Sequence, residues 1–321
     1  MEEFSDYVKW IEQEIAALWN DLKIRPLKDA VKYLLPFGKR VRSVLALLAH
    51  EAVGGNYENV LELVAVIEGL HAASLIQDDI IDNSSVRRGV ESVHVKFGLP
   101  IAILASDYLI FKSYDILIKT CQKLNIPEKI TLNLVHAMSN ALIDCTIGES
   151  LELGRTGFNT SIDEYIEIIE LKTARQFETS AFIGATLGNG TKQQVSVLTK
   201  FGKYIGIAHQ IKDDILDIIG DKDKVGKEVC KDIQNGYLNY VCILAIEDDV
   251  DNFVRKINEG IVKNSLTESI KSYLVKNGYV KKAERDARKL VSMAIKLIES
   301  ADLEKKKELK LLAKYIIKRK A

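Results

Sequence analysis

After Pro127 the chain contains no further proline, and the three earlier ones, Pro26, Pro36 and Pro100, fall where a helix would start or stop. Proline breaks helix interiors, so a chain this sparsely punctuated can run as helix almost throughout. Apolar residues recur at three- and four-residue spacing to match: Leu61, Leu63, Val64, Val66, Ile67 and Leu70 in one segment, Ile101, Leu104, Tyr108 and Phe111 in another. Alternating, strand-like stretches are rare. The expected fold is all-α, with about ten or more helices. Turn signals are short (Gly54-Gly55, Gly188-Asn189-Gly190, Asn277-Gly278) and no linker composition occurs, so one domain over residues 1–321 is expected. Segments 61–76 and 205–219 are apolar on more than one stripe and read as central helices. The Lys-rich stretch from Glu304 to Lys320 reads as an amphipathic surface helix.

Charge narrows the partners. Lys plus Arg and Asp plus Glu both number 45, which argues against a polyanion such as nucleic acid, so any basic site must be local. The four cysteines, Cys121, Cys145, Cys230 and Cys242, lack the close pairing of zinc sites and read as reduced thiols. No apolar run reaches the roughly 18 residues of a membrane span, and the acidic start Met-Glu-Glu-Phe-Ser-Asp is unlike a signal peptide. A soluble, cytoplasmic protein is expected.

Chemistry concentrates in two acidic motifs. Ser74-Leu-Ile-Gln-Asp78-Asp79-Ile-Ile-Asp82 ends an apolar helical segment with three carboxylates, and Asp213-Asp-Ile-Leu-Asp217 repeats the pattern far downstream. On a helix the first and last aspartates share a face one turn apart, and the second is offset to the side. Like charges so close repel, and hard oxygen ligands without His or Cys suit Mg²⁺. Two copies suggest two acidic helices facing each other across metal ions. Arg87 and Arg88 follow the first motif, either as its ion-pair partners or as guanidinium forks for phosphate. Phe37-Gly-Lys39-Arg-Val-Arg42 packs three cations at a helix start, where backbone N–H groups add to anion binding, or is an ordinary basic turn. His71 precedes Asp78 by seven residues, two turns along the same face, and is read as a site residue rather than a core histidine.

Taken in order, Phe-Gly-Lys39-Arg-Val-Arg42, Glu68-Gly-Leu-His71 through Asp82, Arg87-Arg88-Gly, Lys172-Thr173, Gln210-Ile-Lys-Asp213 through Asp217, and Gly226-Lys227 resemble the trans-isoprenyl diphosphate synthases, from about residue 36 to residue 240. The resemblance implies that Asp78, Asp82 and Asp213, supported by Asp79 and Asp217, bind Mg²⁺ holding an allylic diphosphate. It implies that Arg87, Lys172 and Lys227 contact that leaving group, with Thr173 and Gln210 beside the reacting carbons. Lys39, Arg42, His71 and Arg88 match the pocket for isopentenyl diphosphate, the co-substrate added to dimethylallyl, geranyl or farnesyl diphosphate. A homodimer and a central cavity are implied as well. The sequence departs from the family at Glu149 and Glu152, where Gln and Asp are usual, and at Tyr237, where a lysine is usual. A catalytically weak partner subunit and a terpene cyclase are the alternatives; two complete acidic motifs and the Lys39–Arg42 segment favour chain elongation.

Product length follows from the helix that carries Asp78. Bulky residues four and five positions before the first aspartate stop growth at C15 in the family, and here those positions hold Ser74 and Ala73. A shaft from Asp78 to the level of Ile67 would run about 16 Å. Its floor is expected at Ile67, or at Tyr108 and Phe111 on the next helix. The expected product is geranylgeranyl diphosphate, with farnesyl or longer products as the alternatives.

Overall fold

A computed structural model of the chain describes residues 1–20, 22–155, 160–220, 238–262 and 265–319. The described residues are helical nearly throughout, as the proline pattern predicts. The helices are α1 (Ser5–Leu18), α2 (Arg25–Leu34), α3 (Val41–Ala52), α4 (Leu61–Ile81), α5 (Val93–Phe97), α6 (Leu99–Lys123) and α7 (Glu128–Gly154). They continue with α8 (Ile162–Ile169), α9 (Arg175–Leu187), α10 (Lys192–Ile219), α11 (Tyr240–Val262), α12 (Leu266–Lys276), α13 (Tyr279–Glu299) and α14 (Lys306–Lys318). A two-residue hairpin, β1 (Val86–Arg87) against β2 (Val90–Glu91), is the only sheet among the described residues.

Contacts group the chain into two compact units. The first is Met1–Asn140 with Thr179–Thr199 and Ala301–Leu309; the second is Ala141–Glu178 with Lys200–Ser300 and Lys310–Ala321. In the first, α4 is apolar on every side and buried along most of its length, from Leu63 to Ile67 and again at Ala72, Ala73 and Ile76. A helix of that kind has to be surrounded by others. It packs along α6, where the Ser106 hydroxyl donates to the carbonyl of Ala73 at 3.3 Å. α3 is equally enclosed, and its Ala46 carbonyl approaches Gly184 so closely that a Cβ there would lie 1.9 Å from the oxygen. Only glycine admits that approach. In the second unit the end of α10 is enclosed, with Ile205, Ile211, Ile215 and Ile218 all buried. Leu312, Ala313 and Ile316 of α14 are fully buried too, so the C-terminal helix is anchored by its apolar face.

One buried titratable group couples the first unit to pH. His50, 3% exposed on α3, has Nδ1 3.3 Å from the Gly184 carbonyl and Nε2 3.1 Å from the Asn56 carbonyl. Burial pushes its pKa below the ordinary histidine value, more than the two carbonyls and nearby Glu51 pull it up. The unfolded chain, titrating near 6.5, therefore binds the extra proton first as pH falls. The His50 contribution to stability is complete above that pH and declines below it. The urea midpoint should drop between pH 7 and pH 5, and less steeply in His50→Gln; equal slopes would show that another group carries the effect.

Candidate active site

In the first unit the acidic motif closes α4. Asp78 and Asp82 stand half-buried one turn apart, and the Asp82 amide donates to the Asp78 carbonyl at 2.8 Å. Asp79 does not share their face. It is 1% exposed and turned inward, where Arg87 Nε donates to its Oδ1 at 2.8 Å and Arg87 Nη2 at 2.5 Å. The 100° offset of the second residue points it at the protein, where two guanidinium N–H groups of Arg87 compensate the desolvated carboxylate through its Oδ1. Arg87 is thus an ion-pair partner of Asp79.

The hairpin delivers Arg87. Its two turn residues, Arg88 and Gly89, have φ of 55° and 79°, the paired positive φ of a type I′ turn, which is why glycine follows the arginines. Arg88 donates to the Phe37 carbonyl, bringing the hairpin onto the basic turn that starts α3. Arg42 Nη1 lies 3.4 Å from His71 Nε2. Arg88 feels the charges of Arg40, Arg42 and Arg87 as well as Glu68. Three of the four residues expected to bind isopentenyl diphosphate, Arg42, His71 and Arg88, are thereby gathered in one basic cluster; Lys39 is exposed at the same turn.

The second unit repeats the arrangement on α10. Asp214, the middle residue, is 5% exposed and accepts hydrogen bonds from the Tyr165 hydroxyl, from Gln210 Nε2 at 3.0 Å and from the Tyr240 amide at 2.9 Å. Asp213 and Asp217 are left half-buried on either side. Asn239 Nδ2 donates to Asp217 at 3.3 Å. Asp213 is held by Arg319 at 2.8 Å and His209 Nδ1 at 3.2 Å. Burial alone would push its carboxyl up, but Arg319 and then His209 outweigh that and hold it far below the usual carboxylate range.

Lys172 and Thr173 lie on a π-helical turn, Glu170–Ala174, between α8 and α9. Such turns concentrate at functional sites because they re-aim side chains out of helical register. The Thr173 hydroxyl donates to Gln210 Oε1 at 2.9 Å, which orients the Gln210 amide toward Asp214. Gly148 lets the turn come close, since a Cβ there would lie 2.9 Å from the Lys172 amide nitrogen. Lys172 Nζ sits 2.5 Å from both Glu149 and Glu152, two of the three positions where the sequence departs from the family.

Of the remaining expected residues, Ala73 is fully buried, Ile67 is 8% exposed, and Ser74 and Tyr108 are half-buried. Phe111 is 71% exposed on α6, so it cannot floor an enclosed shaft within the chain. Helical spacing assigns it to an apolar stripe but does not say which side of the protein that stripe faces. Lys227 and Tyr237 lie outside the described residues. Sequence reasoning missed the inward set, Asp214, Tyr165, Tyr240, His209 and Arg319, because partners tens of residues apart leave no local signature.

For Mg²⁺ the donor chemistry fits: Asp78, Asp82, Asp213 and Asp217 offer only carboxylate oxygen. Among the described residues no three His, Cys, Asp or Glu side chains form a ready-made cage.

An all-α protein with paired outward aspartates and an arginine-rich turn is built to handle diphosphate esters. Comparison with known proteins bears this out. Residues 24–277 match the family polyprenyl synthetase. The short chain isoprenyl diphosphate synthase of Methanothermobacter thermautotrophicus is 33% identical over 243 residues, 75% of this chain and 73% of that one. The geranylgeranyl diphosphate synthase of Sulfolobus acidocaldarius is 32% identical over 295 residues, 88% and 87% of the two chains. The crystal structure of geranylgeranyl pyrophosphate synthetase from Pyrococcus horikoshii superposes with a TM-score of 0.87 at 31% identity, over 99% of this chain and 98% of that one. The chain belongs to the polyprenyl synthetase family, and it is a trans-prenyltransferase.

The division of labour within the first motif is measurable. Breaking a buried ion pair from one side costs about 3–5 kcal/mol, whereas surface substitutions stay within about 0.5 kcal/mol. Arg87→Ala should lower unfolding stability by roughly that larger amount, and Asp78→Asn should leave it nearly unchanged or raise it by relieving repulsion. Equal effects in urea titrations would contradict the inward assignment of Asp79.

Proposed function

We propose that this chain condenses isopentenyl diphosphate head-to-tail with allylic diphosphates, in a Mg²⁺-dependent reaction whose end product is geranylgeranyl diphosphate. The observation that carries the reading is the shared design of the two motifs, each with its middle aspartate buried and its outer pair presented. The outer pair of each motif serves the allylic diphosphate through metal, and on this reading residues 1–321 work as a single domain. When bound, Mg²⁺ supplies the positive charge that stabilises a departing diphosphate.

The chain's own residues supply the rest. Lys172 adds a cation for the leaving group, restrained by Glu149 and Glu152. Departure of diphosphate leaves an allylic cation, which calls for nearby dipoles and no nucleophile. Thr173 and Gln210 meet that need, with the amide fixed by Asp214. Lys39, Arg42, His71 and Arg88 hold the diphosphate of isopentenyl diphosphate while its double bond attacks the cation. The proton then lost goes to the released diphosphate. Bulk water must stay out, because it would capture the cation.

The small residues Ala73 and Ser74 support a product longer than C15, in line with the name of the Sulfolobus relative. A homodimer is supported by the exposed stripe Leu104, Phe111 and Ile118 on α6, spaced by seven residues. Large apolar side chains repeated on one helix face usually meet a partner. No helix among the described residues is long and apolar enough to cross a membrane.

The test is turnover of the purified chain with radiolabelled isopentenyl diphosphate and dimethylallyl, geranyl or farnesyl diphosphate as primer. Label should enter a C20 product with each primer, chelation should abolish it, and Ala73→Phe should shorten the product. A C15 end product would defeat the length assignment, and no incorporation with any primer would defeat the transferase reading for this chain alone.

A further inference from the structure

The turn from Phe37 to Arg42 contains a residue that the reaction does not directly use. Arg40 sits between Lys39 and Arg42, yet it is only 4% exposed and points into the first unit. Its Nη1 lies 3.1 Å from Glu68 Oε2, its Nη2 donates to the Leu35 carbonyl at 2.5 Å, and its Nε is 3.8 Å from Glu12. Glu68 is itself 4% exposed, and its other oxygen accepts the Ser43 hydroxyl at 2.8 Å. A buried carboxylate on α4 thus joins the start of α3 to the middle of α4.

The backbone makes this placement informative. Arg40 has φ of 55° and caps α3 from the left-handed region. That region is sterically unfavourable for a non-glycine residue, and glycine would occupy it without that penalty. An arginine kept there must contribute through its side chain. Gly38, at φ of 152°, is where the two guanidiniums close over the turn: a Cβ at that position would meet Arg40 Nη1 at 3.0 Å and Arg88 Nη1 at 3.1 Å. Arg40 therefore holds the turn from inside, and Arg88 holds it through the Phe37 carbonyl.

We propose that Arg40 is a positioning residue for isopentenyl diphosphate, its ion pair with Glu68 fixing the one turn geometry in which Lys39 and Arg42 meet the diphosphate of that substrate. Glu68 has a second effect. Arg88 is repelled by Arg40, Arg42 and Arg87 and attracted by Glu68, so this buried acid keeps the basic cluster assembled before an anion arrives. The proposal rests on the reading of that cluster as the isopentenyl diphosphate pocket.

Steady-state kinetics of Glu68→Gln, Arg40→Gly and Ser43→Ala, each with its thermal midpoint, test it. Glu68→Gln and Arg40→Gly should raise KM for isopentenyl diphosphate about tenfold, the equivalent of 1.4 kcal/mol. The KM for the allylic primer and kcat at saturation should move less than about twofold. Ser43→Ala, which keeps both charges, should move the same KM in the same direction by less, and it covers the case in which a charge variant fails to fold. Arg40→Gly also separates side chain from backbone: it relieves the strained φ, so an unchanged KM there would show that only the turn's shape matters. A lower thermal midpoint with KM unchanged in all three would overturn the proposal, as would a parallel loss in both KM values and kcat. Lys39→Ala and Arg42→Ala are the controls. If they too leave KM for isopentenyl diphosphate unchanged, the pocket reading itself has failed; if they raise it and the other variants do not, only the role of Arg40 has.

Discussion

A carboxylate taken out of water must be compensated by charge or by several hydrogen bonds. Both acidic motifs of this chain accept that cost at their middle residue. Asp79 is compensated by two N–H groups of one arginine on its Oδ1, and Asp214 by a tyrosine hydroxyl, a glutamine amide and a backbone N–H. Once the middle residue is anchored, helix geometry places its neighbours. The residue before it and the one three positions after it stand together on the adjoining face. The Asp-Asp-x-x-Asp spacing is therefore two devices in one: a strut that fixes the helix end, and a pair of carboxylates at a set separation. Like charges that would otherwise force the helix to rotate or fray are locked in place by the strut.

The same economy extends to Gln210 and Thr173. Gln210 lies one turn before Asp214 on α10, so a single buried acid both anchors the motif and orients the amide that Thr173 donates to. A glutamine amide held from both ends keeps its dipole direction when the charge next to it changes. Lys172 is restrained differently, by two glutamates on α7 reached through the gap that Gly148 leaves. Asp213 meets Arg319, just past α14, so the C-terminal helix reports directly on a motif residue more than a hundred positions earlier.

Much of this was legible in the sequence, and what was not has a common cause. Helical spacing and the scarcity of proline gave the architecture, because both act over one or two turns. The continuous apolar run through α4 identified a central helix. The offset of Asp79 followed from the helical repeat, but its inward direction did not, since its partner Arg87 lies eight residues on, beyond the helix. Phe111 failed for a related reason. Periodicity shows that an apolar stripe exists but not whether it meets the same chain or solvent, and at 71% exposure this one is not covered by its own chain. Glu68 and Arg40 look like an ordinary charged pair in an ordinary segment; only burial and a left-handed φ set them apart.

The central proposal is that the outer aspartates of each motif are needed for metal-dependent uptake of diphosphate, and direct binding tests it more sharply than turnover. Inorganic diphosphate titrated into the protein by calorimetry should bind when Mg²⁺ is present and not when it is chelated. Asp78→Ala and Asp213→Ala should each abolish that Mg²⁺-dependent heat while the protein stays folded. Binding that survives chelation, or that one of the two substitutions leaves intact, would contradict the account.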